Sequence, residues 1–150
     1  MRSRFAIAVL ASLVLPAAAA AQAPALVWGP APPVFPAGAK MAVLQGDPSQ
    51  AAMFTVRLDL PAGYRIAPHY HPTDEYLTII SGTFLVGMGD SLDVGHAKVL
   101  PTGGFVTVGA TMHHYAITRG RTVVQVQAMG PFVLTYVRPQ DDPQSRPKTR

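Results

Sequence analysis

The sequence predicts an all-β fold, a sandwich or a small closed barrel, and three observations carry the prediction. Short runs rich in Val, Thr, Ile and aromatic residues recur along the chain, turn formers separate them, and no stretch sustains a 3.6-residue apolar period between helix caps. The runs begin at 41–44 and 53–60; Pro61-Ala62-Gly63 then turns the chain into 64–66. The next runs, 76–80 and 83–86, are parted by Ser81-Gly82, and Gly87 to Gly89 close the second of them before 97–100. Gly103-Gly104 precede 105–108, Arg119-Gly120 divide 114–118 from 122–127, and Gly130-Pro131 lead into 132–137. Closing so many short strands into a barrel also removes the exposed edges that template aggregation.

The 150 residues are 49% hydrophobic and only 13% charged, against about 25% charged in an average soluble protein. This excludes a disordered or nucleic-acid-wrapping chain. Part of the apolar excess is local: residues 1–21 join Arg2 and Arg4 to an apolar run over 5–15, then Pro16 and an alanine tail. That order is the pattern of a cleavable secretory signal peptide, and the run is shorter than the ~20 residues of a membrane-spanning helix. Ala19 and Ala21 suit cleavage before Gln22, so the expected mature chain is exported, periplasmic or secreted, with no membrane span. An uncleaved anchor is the alternative. Without Arg2 and Arg4 the formal charge falls from +4 to +2, and Arg146, Lys148 and Arg150 crowd the C-terminus, so charge points to no nucleic-acid partner. With no cysteine, the fold rests on its core, and thiol chemistry is excluded. The organisation expected is a proline-rich arm over 22–39 pinned by Trp28 and Phe35, a barrel over 40–138, and a flexible tail over 139–150.

Residues 63–82 carry the chemistry, with the spacing Gly63-x5-His69-x-His71-x3-Glu75-x6-Gly82. Residues i and i+2 of a strand share a face, so His69 and His71 both reach one point, while Pro72-Thr73-Asp74 turns the chain to return Glu75. Imidazole and carboxylate donors suit Fe(II), Mn(II), Ni(II), Cu(II) or Zn(II) and leave coordination positions open. Glu75 is the only glutamate in the chain. A carboxylate buried without a partner costs several kcal/mol or neutralises, which favours a cation beside it.

That spacing resembles, at every fixed position, the first signature of the cupin superfamily, and the likeness extends over roughly residues 40–137. The resemblance implies a jelly-roll barrel, the double-stranded β-helix. Such a barrel holds one divalent transition metal ion through two His and one Glu of this motif and a His of a second. The second motif is degenerate. Counted from Gly95, Pro101 and Gly103 fall in place but the ligand position is Val106, which binds no metal. Counted from Gly103, Gly109 stands where the family usually has Pro, Thr111 where it usually has Gly, and His114 at the ligand position. The resemblance therefore assigns His69, His71, Glu75 and His114 as metal ligands. His113 competes with His114, but a one-residue shift reverses the face a side chain occupies, so only one of them reaches the ion. A metal-free barrel with vestigial ligands is the competing reading.

If His69 and Glu75 face inward, alternation also points Leu77, Ile79, Ala116 and Thr118 inward and makes the pocket mostly apolar. Arg65 shares the phase of His69 if Pro68 leaves the strand unbroken, and an inward arginine would clamp a carboxylate. An exposed Arg65 is the favoured alternative, because arginine is rarely buried without a partner. Gln125 and Gln127 share one face of a late strand and are expected to donate hydrogen bonds into the barrel. Arg65, Leu77, Gln125 and Gln127 are thus the candidate substrate contacts. Tyr64, Tyr70 and Tyr76 read as core or interface; Asp74, Asp90, Asp93 and His96 read as solvated surface. The resemblance implies a metal-dependent enzyme, dioxygenase-like, acting on a small enolisable or carboxylate compound. A non-redox lyase or isomerase and a non-catalytic module binding a small ligand or metal are the alternatives. Cupins often pair through an edge strand or an exchanged N-terminal segment, so a homodimer is expected.

Overall fold

The computed structural model describes residues 25–145; the signal peptide read at 1–21 and the last residues of the tail, 146–150, lie outside them. The strands are β1 (Gly29–Pro30), β2 (Lys40–Gln45), β3 (Met53–Leu60), β4 (Arg65–Tyr70), β5 (Glu75–Ser81) and β6 (Thr83–Met88). They continue with β7 (Lys98–Pro101), β8 (Phe105–Val108), β9 (His114–Thr118), β10 (Thr122–Met129) and β11 (Thr135–Tyr136). All pairings are antiparallel, in a six-stranded sheet ordered β1-β2-β3-β10-β5-β8 and a five-stranded sheet ordered β11-β4-β9-β6-β7. No helix among the described residues is long and apolar enough to cross a membrane.

Alternation decides what fills the space between the sheets. Phe54, Val56, Leu58 and Leu60 of β3 face Val124, Val126 and Ala128 of β10 along the same interior, with Leu77 and Ile79 of β5 beside them. Phe84 and Val86 of β6 and Ala116 of β9 close it from the other sheet. Each Val, Leu, Ile or Phe among them contributes about 1.5–3 kcal/mol when removed from water. Strand β9 is buried along its whole length. Its other face, Tyr115 and Ile117, packs with Leu85 beneath Leu92 and Ala97, so the segment joining β6 to β7 lies over the outside of the sheet. Tyr115 occupies the space where a side chain at position 87 would stand, which is why that position is glycine.

The arm is more ordered than its prolines suggest. Gly29 and Pro30 pair with Met41 and Lys40. Phe35 is buried in the core, Tyr136 Oη donates to the Val34 carbonyl (2.8 Å), and Tyr64 Oη donates to the Pro36 carbonyl. Phe35 and the two tyrosines hold the arm; Trp28 is exposed and does not. At the other end, Pro139–Asp141 and Pro143–Ser145 form two 3-10 turns where the sequence suggests a frayed tail.

One irregularity positions the site. β4 pairs with β9 through Arg65↔Ile117, Ile66↔Ala116 and His69↔His114, and the register shifts between Ile66 and His69. The extra residue lets Ile66 and His69 face the same interior despite their odd spacing.

Candidate metal centre

His69 lies near the end of β4, His71 just beyond it, Glu75 opens β5 and His114 opens β9. All four are buried, with exposures of 2%, 5%, 6% and 2%. His69, His71 and His114 each offer a ring nitrogen within 4.8 Å of the others. Glu75 Oε2 lies 3.4 Å from His114 Nε2 and 3.7 Å from His71 Nε2. The two loops that deliver these ligands are tied to each other: Thr111 N donates to the His71 carbonyl (2.8 Å), and Ala110 N donates to Asp74 Oδ1 (2.8 Å). Thr111 takes φ = +62°, the left-handed backbone that glycine adopts freely, so the turn keeps its shape without the glycine.

Hydrogen bonding fixes how the rings are presented. His69 Nδ1 meets the Ala67 carbonyl at 2.7 Å, His71 Nδ1 the Val133 carbonyl at 2.7 Å, and His114 Nδ1 the Met112 carbonyl at 3.0 Å. A carbonyl oxygen only accepts, so each Nδ1 carries the proton and each neutral ring turns an Nε2 lone pair inward. Burial holds His69 well below the ordinary imidazole pKa, and the neighbouring His114 and His71 lower it further. Burial also lowers His71, outweighing the opposite pull of Glu75. Burial pushes the Glu75 carboxyl up, but in acid a protonated His114, donating from Nε2, and a protonated His71 outweigh it and bring the carboxyl below its usual value. The centre thus gathers lone pairs around one point. His71 Nε2 is buried with no hydrogen-bond partner at all. Three imidazole rings that present Nε2 inward and one carboxylate are the donor set of a divalent transition ion. The cavity they border, ≈ 20 Å³, holds about one water or ion. These residues fit a metal.

The remaining sequence-predicted positions divide. Leu77 lines the same cavity. Arg65 is exposed, because the shift in β4 between Ile66 and His69 breaks the alternation that would have turned it inward. Gln125 and Gln127 do share a face of β10, but it is the outer one, since Val124, Val126 and Ala128 fill the interior. There Gln125 Oε1 accepts from Arg57 Nε (3.2 Å) and Gln127 Nε2 donates to Thr55 Oγ1 (3.3 Å). His113 lies outside the barrel, its Nδ1 on Asp90 and its ring stacked on Tyr70, with centroids 5.2 Å apart. His96 pairs with Asp93 on the surface. Val106 pairs with Leu77 on β8, away from the ligands.

Two wall residues escaped the sequence reading. Phe35, from the arm, and Phe132 both line the cavity, and the Phe132 ring sits 5.0 Å from that of His71. Alternation over 132–137 did carry a signal, since Phe132, Leu134 and Tyr136 fall on one face. The Val133 carbonyl that orients His71 carried none, because backbone oxygens look alike in any sequence.

No family model and no curated protein matches the sequence. Solved structures do. A protein of Methylibium petroleiphilum PM1, named as a candidate acetylacetone dioxygenase, superposes with a TM-score of 0.60 at 21% identity over 79% of each chain. An RmlC-like cupin from Shewanella frigidimarina NCIMB 400 gives 0.52 at 18% identity, over 62% of this chain and 78% of its own. The chain has the cupin fold. Among cupin-fold enzymes, the DMSP lyase DddQ from Ruegeria pomeroyi DSS-3 gives 0.56 at 20% identity, over 67% of this chain and 52% of that one. At these identities it is the fold that is shared, and the cupin barrel supports more than one reaction class.

Proposed function

We propose that this cupin-fold protein is an exported, metal-dependent enzyme that activates a small enolisable compound for oxidative cleavage. The observation carrying the reading is His71 Nε2, a buried lone pair without a partner, aimed at the point where His69 and His114 converge. His69, His71 and His114 would hold one divalent ion and Glu75 would lower its net charge. When bound, the ion would supply Lewis acidity toward an enolate or carboxylate and, as iron, copper or manganese, electron transfer with dioxygen. The chain itself does the positioning. The Ala67, Val133 and Met112 carbonyls lock the three rings against rotation, while Leu77, Val86 and Ala116 exclude bulk water and strengthen electrostatic interactions within the pocket. The dioxygenase name of the Methylibium structure supports the oxidative reading. A non-redox lyase is the second reading. It is favoured by the DddQ likeness and by export, since outside the cytoplasm Zn(II) and Cu(II) compete strongly for such donors.

The test is elemental analysis of the exported protein beside the His71→Ala/His114→Ala variant, then oxygen uptake by Fe(II)-loaded protein with acetylacetone and other enolisable compounds. Near-stoichiometric redox metal, and uptake lost in the variant, are expected. Stoichiometric zinc without uptake moves the assignment to the lyase class. Absence of metal in both samples overturns the enzyme reading.

A further inference from the structure

A second cavity, ≈ 200 Å³, lies against the metal centre on the other side of an aromatic partition. Phe35 and Phe132 border both spaces. Their rings stack with centroids 6.0 Å apart and planes 8° apart, and Phe132 also meets the Phe54 ring edge-on at 5.6 Å. Val34, Met41 and Val56 complete the apolar lining. No charged side chain lines it. Its one hydroxyl, Ser49 Oγ, already donates to Asp47 Oδ1 (2.8 Å), and the Pro48 carbonyl already accepts from Phe132 N (2.7 Å). A ligand there meets hydrocarbon and aromatic faces and little else. An engineered cavity of about 150 Å³ with a Leu, Ile and Phe lining stays dry and takes up benzene. The present cavity is likewise mostly apolar and has more room, but it opens to solvent on the side of exposed Ser49.

We propose that this cavity binds a compact, uncharged aromatic or alicyclic molecule. As a binding site it stands on its lining alone; as the berth for a substrate's apolar body, with Phe132 between it and His71, it rests on the metal-enzyme reading above. A carboxylate is disfavoured, because the lining offers no cationic side chain to pair with it and whatever part of it enters is desolvated without compensation. An aromatic guest gains burial plus edge or face contact with Phe35, Phe54 and Phe132.

Titration of the full chain with toluene, followed by calorimetry or by NMR shifts, tests this. Saturable 1:1 binding is expected, weakened at least about tenfold by Val34→Trp, which fills the space from the arm. Met41→Trp serves if Val34→Trp fails to fold. Benzoate, the same ring with a carboxylate, should bind at least about tenfold more weakly than toluene. Absent saturation, indifference to the filling substitution, or benzoate binding as tightly as toluene would overturn the proposal. The His71→Ala/His114→Ala variant separates the two readings: toluene binding kept while metal is lost leaves the cavity standing by itself, and toluene binding absent from metal-loaded wild type removes the cavity alone.

Discussion

Glu75 Oε2 lies 3.4 Å from His114 Nε2, while Nδ1 of the same ring is already committed to the Met112 carbonyl. A neutral imidazole has one proton to give, so two lone pairs meet across this gap unless a cation bridges them. Replacing either partner therefore changes the charge that the centre can hold. His69→Ala, His71→Ala, His114→Ala and Glu75→Ala should each lower metal occupancy, by an order of magnitude or more in affinity for the histidines. Elemental analysis after dialysis against a weak chelator reads this directly. His113→Ala should leave occupancy within about twofold, because its ring lies outside the barrel on Asp90 and Tyr70; equal loss in that variant would contradict the ligand set.

Acid should destabilise the metal-free protein. His69 and His71 are held below the 6.5 of a free imidazole, so below that pH the unfolded chain takes up protons that the native barrel refuses. Stability is fully present above pH 6.5 and falls as pH drops toward the folded values, by up to about 1 kcal/mol per pH unit for each imidazole. Glu75, lowered from 4.5, adds to the loss in more acidic solution. Melting temperature of chelator-treated protein between pH 8 and pH 5 tests the sign. A rise in stability on acidification would contradict the neutral, buried rings.

Thr111→Gly should stabilise the fold. A β-branched residue at φ = +62° carries about 1–2 kcal/mol of backbone strain, and glycine returns part of that gain through its larger unfolded-state entropy. The net expectation is about 1 kcal/mol, or roughly 4 °C in Tm. Calorimetry of the variant would read it, with metal occupancy unchanged because the hydrogen bond from residue 111 N to the His71 carbonyl is a backbone one. An unchanged or lower Tm would show that the strain is offset elsewhere.

Gly87→Ala should do the reverse. The added Cβ would overlap the ring of Tyr115, which is 1% exposed and donates its hydroxyl to the Asp93 carbonyl. Displacing that ring should cost about 2–4 kcal/mol and loosen the segment over the outer face of β9. Urea unfolding measures the loss; Tyr115→Phe, which keeps the ring, should cost about 1 kcal/mol.

Composition and turn residues were enough to read the succession of the barrel strands, while β1, inside the proline-rich arm, was not read as a strand. The convergence of His69, His71 and Glu75 was readable for a different reason, since one strand end and one turn bring residues at the spacing His69-x-His71-x3-Glu75 together; His114 came from the resemblance alone. Arg65 and the two glutamines face outward for two different reasons. Periodicity says which residues share a face, but not which face is inside, and a single extra residue between Ile66 and His69 reverses the phase upstream of it. Gln125 and Gln127 keep their phase and take the outer face, since the apolar Val124 and Val126 claim the inner one. Phe35 was legible as an anchor of the arm, but proline-rich sequence carries no periodicity that would show it reaching the wall of the centre.

The hydrogen bond from Tyr136 to Val34 spans 102 positions of sequence. Contacts so distant along the chain are entropically costly to close and tend to form late. Phe35, one residue from that bond, and Phe132 both wall the centre, so its wall is complete only when the arm has met the C-terminal end of the barrel. A centre walled in part by the arm would release a bound ion when the arm undocks, without the strands of the barrel having to part.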